Sequence, residues 1–399
     1  MRRESRTPRS DWKVQVERLG LTFHTVDDQI YWNESAAYRF EPDEIAVLES
    51  ATDELHAMCL AAVDRLVEKN EFHRLSIPKE AHAAIVRAWE ADPPALYGRF
   101  DLAYDGGGPP KLLEYNADTP TSLLEAAVVQ WHWLQEVDPE ADQFNSIWEG
   151  LVAKWQGLKD EGLLDAGIVH FGCMDAMEDL MTTAVLMDTA REAGLGVRLM
   201  PMERIGWDHD RKRFVDEDFE PIQTLFKLYP WEWMLKDEFG AMLLRPEVRV
   251  QWIEPIWKML LSNKGILAIL WEMYPDHPNL LPAFFDGPRG MTEYVRKPLL
   301  GREGANVALY LRDRFVENSG PYGGDVVFQA YAPLPVFDGN HAVIGSWVID
   351  GEARGIGIRE SDGPITGDAA RFVPHLFAGP KDPDAEKEGT PPSNLKHAP

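Results

Sequence analysis

The sequence predicts an α/β protein of mixed α+β layout, on three observations: helical patterns up to about residue 160, a strand–helix–strand run over 167–202, and short strands split by glycine and proline after residue 290. The chain has 399 residues, 45% of them hydrophobic, with 14 tryptophans and 17 phenylalanines, enough to bury a large core in two or three lobes.

The elements follow in order. Residues 42–69 place Ile45, Leu48, Leu55, Cys59, Val63 and Leu66 at helical spacing, with Pro42 and acids at the start and Lys69 at the end. Further helical patterns run near 80–91, 122–136 and 145–160. GIVHFG (167–172) reads as a buried strand, 177–194 as a helix closed by Gly194, and VRLMPM (197–202) as the next strand, a βαβ unit with a parallel sheet to which IQTLFKL (222–228) adds a strand. Residues 250–285 read as a return to helix, and the stretches after them as a mostly antiparallel lobe. The boundaries expected are a disordered 1–11, one domain over 12–378 with lobes of about 12–160, 161–249 and 250–378, and a disordered tail 379–399 carrying five prolines.

Charge and composition exclude several functions. A net charge of −26 argues against a nucleic-acid partner, since phosphate backbones demand clustered lysine and arginine. It suits a soluble surface or the steering of a cationic substrate such as a polyamine. No apolar run approaches a membrane span, and no apolar segment follows the basic MRRESRTPRS as export would require. Cys59 and Cys173 stand far apart without a CxxC partner, so a reducing cytoplasm is expected, with no disulfide or zinc framework.

The chemistry concentrates in YGRFDLAYDGGGPPKLLEYNAD, residues 97–118. Two strands joined by DGGGPP put Arg99 with Asp101, and Glu114 with Asn116, each pair on one face. Leu113 and Tyr115 then point the other way, into a core, and Asp105 and Asp118 fall to turn chemistry. Two carboxylates and an amide oxygen are hard ligands suited to Mg²⁺, and crowded acids need a metal or an arginine to balance them. A solvated hairpin with a salt bridge is the plainer alternative. Later segments add cations: SNKG holds Lys264, and YVRKPLLGREGAN holds Lys297 before a loop with Gly301 and Gly304, whose backbone amides could cradle phosphate. FQAYAPLP (328–335) turns from a strand into a proline linker, and Arg359 follows Gly355 and Gly357.

Taken together in this order, GRFD…LLEYNADTP, EPIW…SNKGILAILWEMYPDHPNLL, YVRKPLLGREGANV, FQAYAPLP and GSWVIDGEARGIGIRE resemble the synthetase domain of the glutathionylspermidine and trypanothione synthetase family, over about residues 10–378. The resemblance implies an ATP-grasp architecture with permuted elements, and an enzyme that activates a carboxylate with ATP as an acylphosphate before an amine attacks. It implies that Asp101, Glu114 and Asn116 hold Mg²⁺ and that Arg99 contacts the transferring phosphate. Lys264 and Lys297 would bind ATP phosphates under the 301–306 loop, with Gly301, Gly304 and Asn306. Gln329, Tyr331 and Ala332 would lie by the adenine, and Arg359 would stabilise the reacting acyl centre. Thr119 and the acidic pair Glu178 and Asp179 are the candidates on the substrate side, although acids at 178–179 also suit a plain helix N-terminus. Leu228 stands where glutathione-using members carry a small hydroxyl residue, which leaves glutathione, another peptide or a small acid open as acyl substrate. Two other classes compete: a noncatalytic ATP- or polyamine-binding protein of the same fold, and a carbohydrate-active hydrolase with paired carboxylates.

Overall fold

The structure is a computed structural model that describes residues 1–165 and 167–378, so the tail expected to be disordered, 379–399, lies outside the described residues. At its centre Tyr97–Ala103 pairs antiparallel with Lys111–Asn116 on one side and with Asn340–Ile349 on the other, and Glu352–Ser361 and Arg371–Val373 complete that flank. The run AVIGSWVI (342–349) is buried throughout, as a strand covered on both faces requires. The helix Pro42–Glu68 covers one face, started by Pro42 and a capping box between Glu41 and Glu44. Its Leu48, Leu55 and Cys59 share a core with Ile344, Ile356 and Ile358. Ile147–Asp160 covers the other face, where Leu151 and Trp155 share a core with Trp347 and Ile349.

This sheet joins strands from both ends of the chain, so the segments expected to form lobes at 12–160 and 250–378 interleave. Strand order depends on pairings more than 200 residues apart, which local periodicity does not encode. The N-terminus differs for the same reason. Residues 1–11, expected to be disordered, contain the strand Arg2–Ser5, paired antiparallel with Ala36–Phe40, which in turn pairs parallel with His375–Phe377. Arginines that look like a loose basic tail find distant acids, Arg3 to Glu360 at 2.5 Å and Arg9 to Glu34 at 2.5 Å.

The βαβ unit forms as its sequence predicts, with Ile168–Cys173 and Gly196–Pro201 parallel and the helix Met177–Glu192 between them. Thr224–Leu228 and Gln251–Ile253 extend that sheet, also in parallel. Beyond residue 250 the expected long helix shrinks to Ile266–Met273, preceded by a 3₁₀ turn Ile256–Leu260. Pro255 closes off helix on one side, and Asn263 Oδ1 accepts the Gly265 N–H at 2.9 Å, a local turn that starts the helix late. A five-stranded antiparallel sheet follows, in the order Ala283–Phe284, Val326–Ala330, Tyr294–Pro298, Ala308–Tyr310, Phe315–Glu317. Among the described residues no helix is long and apolar enough to cross a membrane.

Candidate functional site

The 97–116 hairpin borders a cavity of about 480 Å³ whose other walls come from the five-stranded sheet and the parallel lobe. Across the hairpin Asp101 stands opposite Glu114 and Arg99 opposite Asn116, and all four line the cavity. The register slips between Asp101 and Leu102, so Leu102 faces Leu112 and Leu113 is an extra residue. That bulge turns Leu113 into the cavity, whereas alternation alone assigns it to the core with Tyr115. Leu112 and Tyr115 occupy the core instead. Asp105 does serve a turn, accepting the Gly107 N–H at 2.8 Å. Asp118 does not: it is buried in an ion pair with Lys227 and accepts the Trp231 N–H at 3.0 Å. Its partners lie on the parallel lobe, beyond the reach of a local turn rule.

The acids are matched to cations one by one. Asp101 receives Arg99 Nε at 2.9 Å and Arg359 Nη2 at 2.5 Å, while Arg99 Nη1 donates to the Thr121 carbonyl at 2.7 Å. Glu114 pairs with Lys264 at 2.8 Å and accepts Asn116 Nδ2 at 3.2 Å. Lys264 also donates to the Gly301 carbonyl at 2.6 Å, tying the start of the 301–306 loop to the hairpin. Lys297 donates to the Leu113 carbonyl at 2.8 Å and to Gln329 Oε1 at 2.7 Å, and Gln329 Nε2 donates to the Leu112 carbonyl at 2.9 Å. Burial pushes the Glu114 carboxyl up, but Lys264 and Lys297 outweigh it and hold it well below the usual carboxylate range. Burial lowers the Lys297 ammonium to about 8, against the pull of Glu114 and with the help of Lys264. Burial also disfavours the Arg359 charge, yet Asp101 and Glu114 more than restore it.

The rest of the lining differs in character. Ala332, Leu334 and Val343 make an apolar face against Ala103 and Leu113 of the hairpin itself, and Val295 and Leu309 make another beside Tyr331. The wall also carries Glu178 and Asp179, at the start of Met177–Glu192, together with Glu303 and Asp368. Burial lifts the Asp179 carboxyl to about 6, with Glu178 adding and Arg302 opposing. Burial and the neighbouring Asp368 lift Glu303 to about 7. Leu228 and Trp233 complete this end of the wall.

The structure therefore gathers Arg99, Asp101, Glu114, Asn116, Thr119, Glu178, Asp179, Lys297, Gly304, Gln329, Tyr331, Ala332 and Arg359 around one cavity. Lys264 and Gly301 sit behind Glu114. Asn306 takes a left-handed conformation at φ 57° and spends its Oδ1 on the Tyr322 N–H at 2.8 Å, so it shapes the loop. Sequence reasoning passed over Arg302, Glu303, Tyr31 and Asp368. Arg302 donates to Thr119 Oγ1 at 2.9 Å and to Glu232 Oε1 at 3.0 Å, and stacks over Trp233 at 5.4 Å, which straps the loop across the cavity. Its place inside the glycine loop was the one available signal.

Comparisons with known proteins bear on the family and the fold. The glutathionylspermidine synthase preATP-grasp family matches residues 3–378. A Haemophilus influenzae protein whose name provisionally calls it an acid–amine ligase is 42% identical over 388 residues, covering 92% of this chain and 97% of that one. Trypanothione synthetase of Crithidia fasciculata is 29% identical over 79% of this chain and 52% of its own length. The bifunctional glutathionylspermidine synthetase/amidase of Escherichia coli is 27% identical over 78% of this chain and 54% of its own. The chain thus spans about half the length of those two relatives. In fold alone it is similar to a glutathione synthetase-like effector of Globodera pallida, with a TM-score of 0.56, 11% identity, and coverage of 92% of this chain and 96% of that one. The chain belongs to the glutathionylspermidine synthase family, and with it to the ATP-dependent acid–amine ligases of ATP-grasp fold.

Proposed function

We infer that this ligase activates a carboxylic acid with ATP as an acylphosphate and then transfers the acyl group to an amine, releasing ADP and phosphate. One observation carries the reading: acids early in the chain and cations late in it converge on a single cavity, Asp101 bound by Arg359 and Glu114 by Lys264. Phosphoryl transfer demands little besides positioned positive charge against developing negative charge, and this site is rich in it.

Asp101, Glu114 and Asn116 are the residues that would hold Mg²⁺. The donor set fits, being oxygen only, and Asn116 gives its amide N–H to Glu114, which leaves its own oxygen for a ligand. Among the described residues no three His, Cys, Asp or Glu cluster as a metal cage, so phosphate oxygens and water must complete the shell. The metal would supply charge neutralisation across the phosphates. Lys264 and Lys297 would trade part of their contact with Glu114 and Gln329 for phosphate oxygens, and the strapped 301–306 loop would keep water from the acylphosphate. Arg99 and Arg359, anchored on Asp101, would face the transferring phosphoryl group and the acyl oxygen. The apolar face by Tyr331 and Ala332 suits an adenine ring.

Glu178 and Asp179 give their part of the wall a negative potential that favours an ammonium group, so the acceptor is an amine and a polyamine fits. Leu228 and Trp233 are apolar members of the lining, and glutathione, another peptide and a small carboxylic acid all stay candidates for the acid. Incubation of the protein with ATP, Mg²⁺ and a metabolite extract, followed by mass spectrometry, tests the reading. A new species weighing acid plus amine minus water names both substrates; ATP consumed without such a species, or no ATP consumed, contradicts it.

A further inference from the structure

Seven carboxylates are buried in the described residues, and six have a cation at hand. Glu34 pairs with Arg9, Asp101 with Arg99 and Arg359, Asp118 with Lys227, Asp216 with Arg198, Glu254 with Lys258 and Glu360 with Arg3. The seventh, Glu125, is 1% exposed and has no ion-pair partner among the described residues. What it has is the Tyr31 hydroxyl, which donates to Glu125 Oε1 at 2.7 Å and lies 3.4 Å from Ser122 Oγ. Glu125 opens a π-helical turn, Glu125–Val129, a distortion that recurs at functional sites. Burying a carboxylate without a cation is costly, and among the described residues the other buried carboxylates avoid that cost while Glu125 does not.

The pair sits at the edge of the reaction cavity. Tyr31 and Ser122 line it, and Glu125 stands behind them. Tyr31 is close enough to Arg359 to affect its charge, and close enough to Glu178 to feel that acid. Tyr31, Arg359 and Glu178 line the same cavity, so the tyrosine shares it with the arginine assigned to the acyl centre and with an acid assigned to the amine.

We propose that Tyr31 and Glu125 form the proton relay of the amine step, with Tyr31 meeting the incoming ammonium and Glu125 taking the proton through it. The proposal rests on the ligase reading above. An ammonium group has no free electron pair and must lose a proton before it attacks. The proton passes from nitrogen to Tyr31 Oη as the tyrosine hydrogen moves to Glu125 Oε1. The freed electron pair forms the C–N bond, the acyl C–O bond breaks with its electrons going to phosphate, and the second nitrogen proton leaves with the phosphate. Glu125 then returns its proton to solvent through Tyr31.

The surroundings tune both groups for this. Burial pushes Glu125 up to about 7, lowered by the Tyr31 bond and its own backbone N–H, raised by Glu178 and lowered by Arg99, which sets it where a base at neutral pH is most effective. Burial, Glu125 and Glu178 push Tyr31 up as well, far above its ordinary value, against the Ser122 hydroxyl. Tyr31 thus keeps its hydrogen and passes protons without storing one.

Hydroxylamine separates this role from a structural one, because it is already neutral at neutral pH and needs no base. Wild type, Glu125→Gln and Tyr31→Phe are compared with spermidine and with hydroxylamine as acceptors, using the acid returned by the metabolite screen. The relay predicts a loss of about 100-fold or more with spermidine, a far smaller loss in ATP-dependent hydroxamate formation, and disappearance of the pH limb near 7 in Glu125→Gln. Equal losses with both acceptors, or no loss with spermidine, overturn it. Absence of hydroxamate from wild type with every acid overturns the ligase reading instead. A substrate-free arm then decides: infrared difference spectra of wild type against Glu125→Gln must show a protonated carboxyl band that fades as pH rises through about 7 and shifts in Tyr31→Phe. A spectrum without that band contradicts the proposal.

Discussion

The two ends of the cavity are built on opposite electrostatic plans. At the hairpin end Asp101 and Glu114 are each neutralised by arginine or lysine, and Glu114 is held ionised far into acid. At the other end, among the described residues, Arg302 is the cation set against Glu178, Asp179, Glu303 and Asp368, and burial lifts Asp179 to about 6 and Glu303 to about 7. The first end is balanced in that each acid has its cation, and with Arg99, Lys264, Lys297 and Arg359 against two carboxylates it keeps positive charge in surplus for phosphates. The second is in deficit of positive charge, and a cationic substrate supplies what is missing.

The sharpest way to break the comparison is at the balanced end. Glu114→Gln and Arg359→Ala are each expected to lower amide formation by about 10³-fold, the scale seen when one preorganised charge contact is removed from an active site. Both proteins should stay folded, since cavity-facing groups and not core atoms are changed; circular dichroism and product formation measured together check this. Turnover near wild type in either would remove that residue from the site.

A smaller effect is expected at the deficit end. Asp179→Asn should raise the KM for the amine by roughly 10- to 100-fold, the worth of one hydrogen bond to a charged group. It should leave ATP-dependent hydroxamate formation nearly unchanged, because acyl activation happens at the other end. A matching loss in both assays would mean that the two ends are not separable.

Smaller again is a pH effect that differs in sign between the ends. Lys297 loses its charge as pH rises through about 8, so the KM for ATP should climb above that pH. Asp179 gains a proton as pH falls through about 6, so amine binding should weaken below it. Lys297→Arg is expected to abolish the alkaline limb for ATP and leave the acid limb for the amine, as initial-rate pH profiles would register. Profiles that move together contradict the division.

The sequence carried the balanced end better than the other. Alternation across DGGGPP placed Arg99, Asp101, Glu114 and Asn116 on one face, and ordered motifs tied them to Lys264, Lys297 and Arg359. The bulge at Leu113 escaped it, because a one-residue slip depends on the partner strand and leaves no local composition mark. The deficit end was legible only as helix-start acids at 178–179. Glu303 and Asp368 sit over 60 residues apart in the chain and meet only when the loop folds onto the 365–368 segment, where Gly304 packs so close to the Thr366 carbonyl that a Cβ would lie 2.5 Å from it. The buried pairs Asp118–Lys227 and Glu360–Arg3 were hidden for a like reason: each unites a residue read as a turn or an exposed charge with a partner far along the chain.

Calorimetric titration with ATP, in the presence and absence of Mg²⁺, tests the central claim most directly. The account predicts saturable, Mg²⁺-strengthened binding in wild type, binding that no longer responds to Mg²⁺ in Glu114→Gln, and a loss of affinity in Lys297→Ala. ATP affinity that is indifferent to Mg²⁺ in wild type, or unaltered by both substitutions, would contradict it.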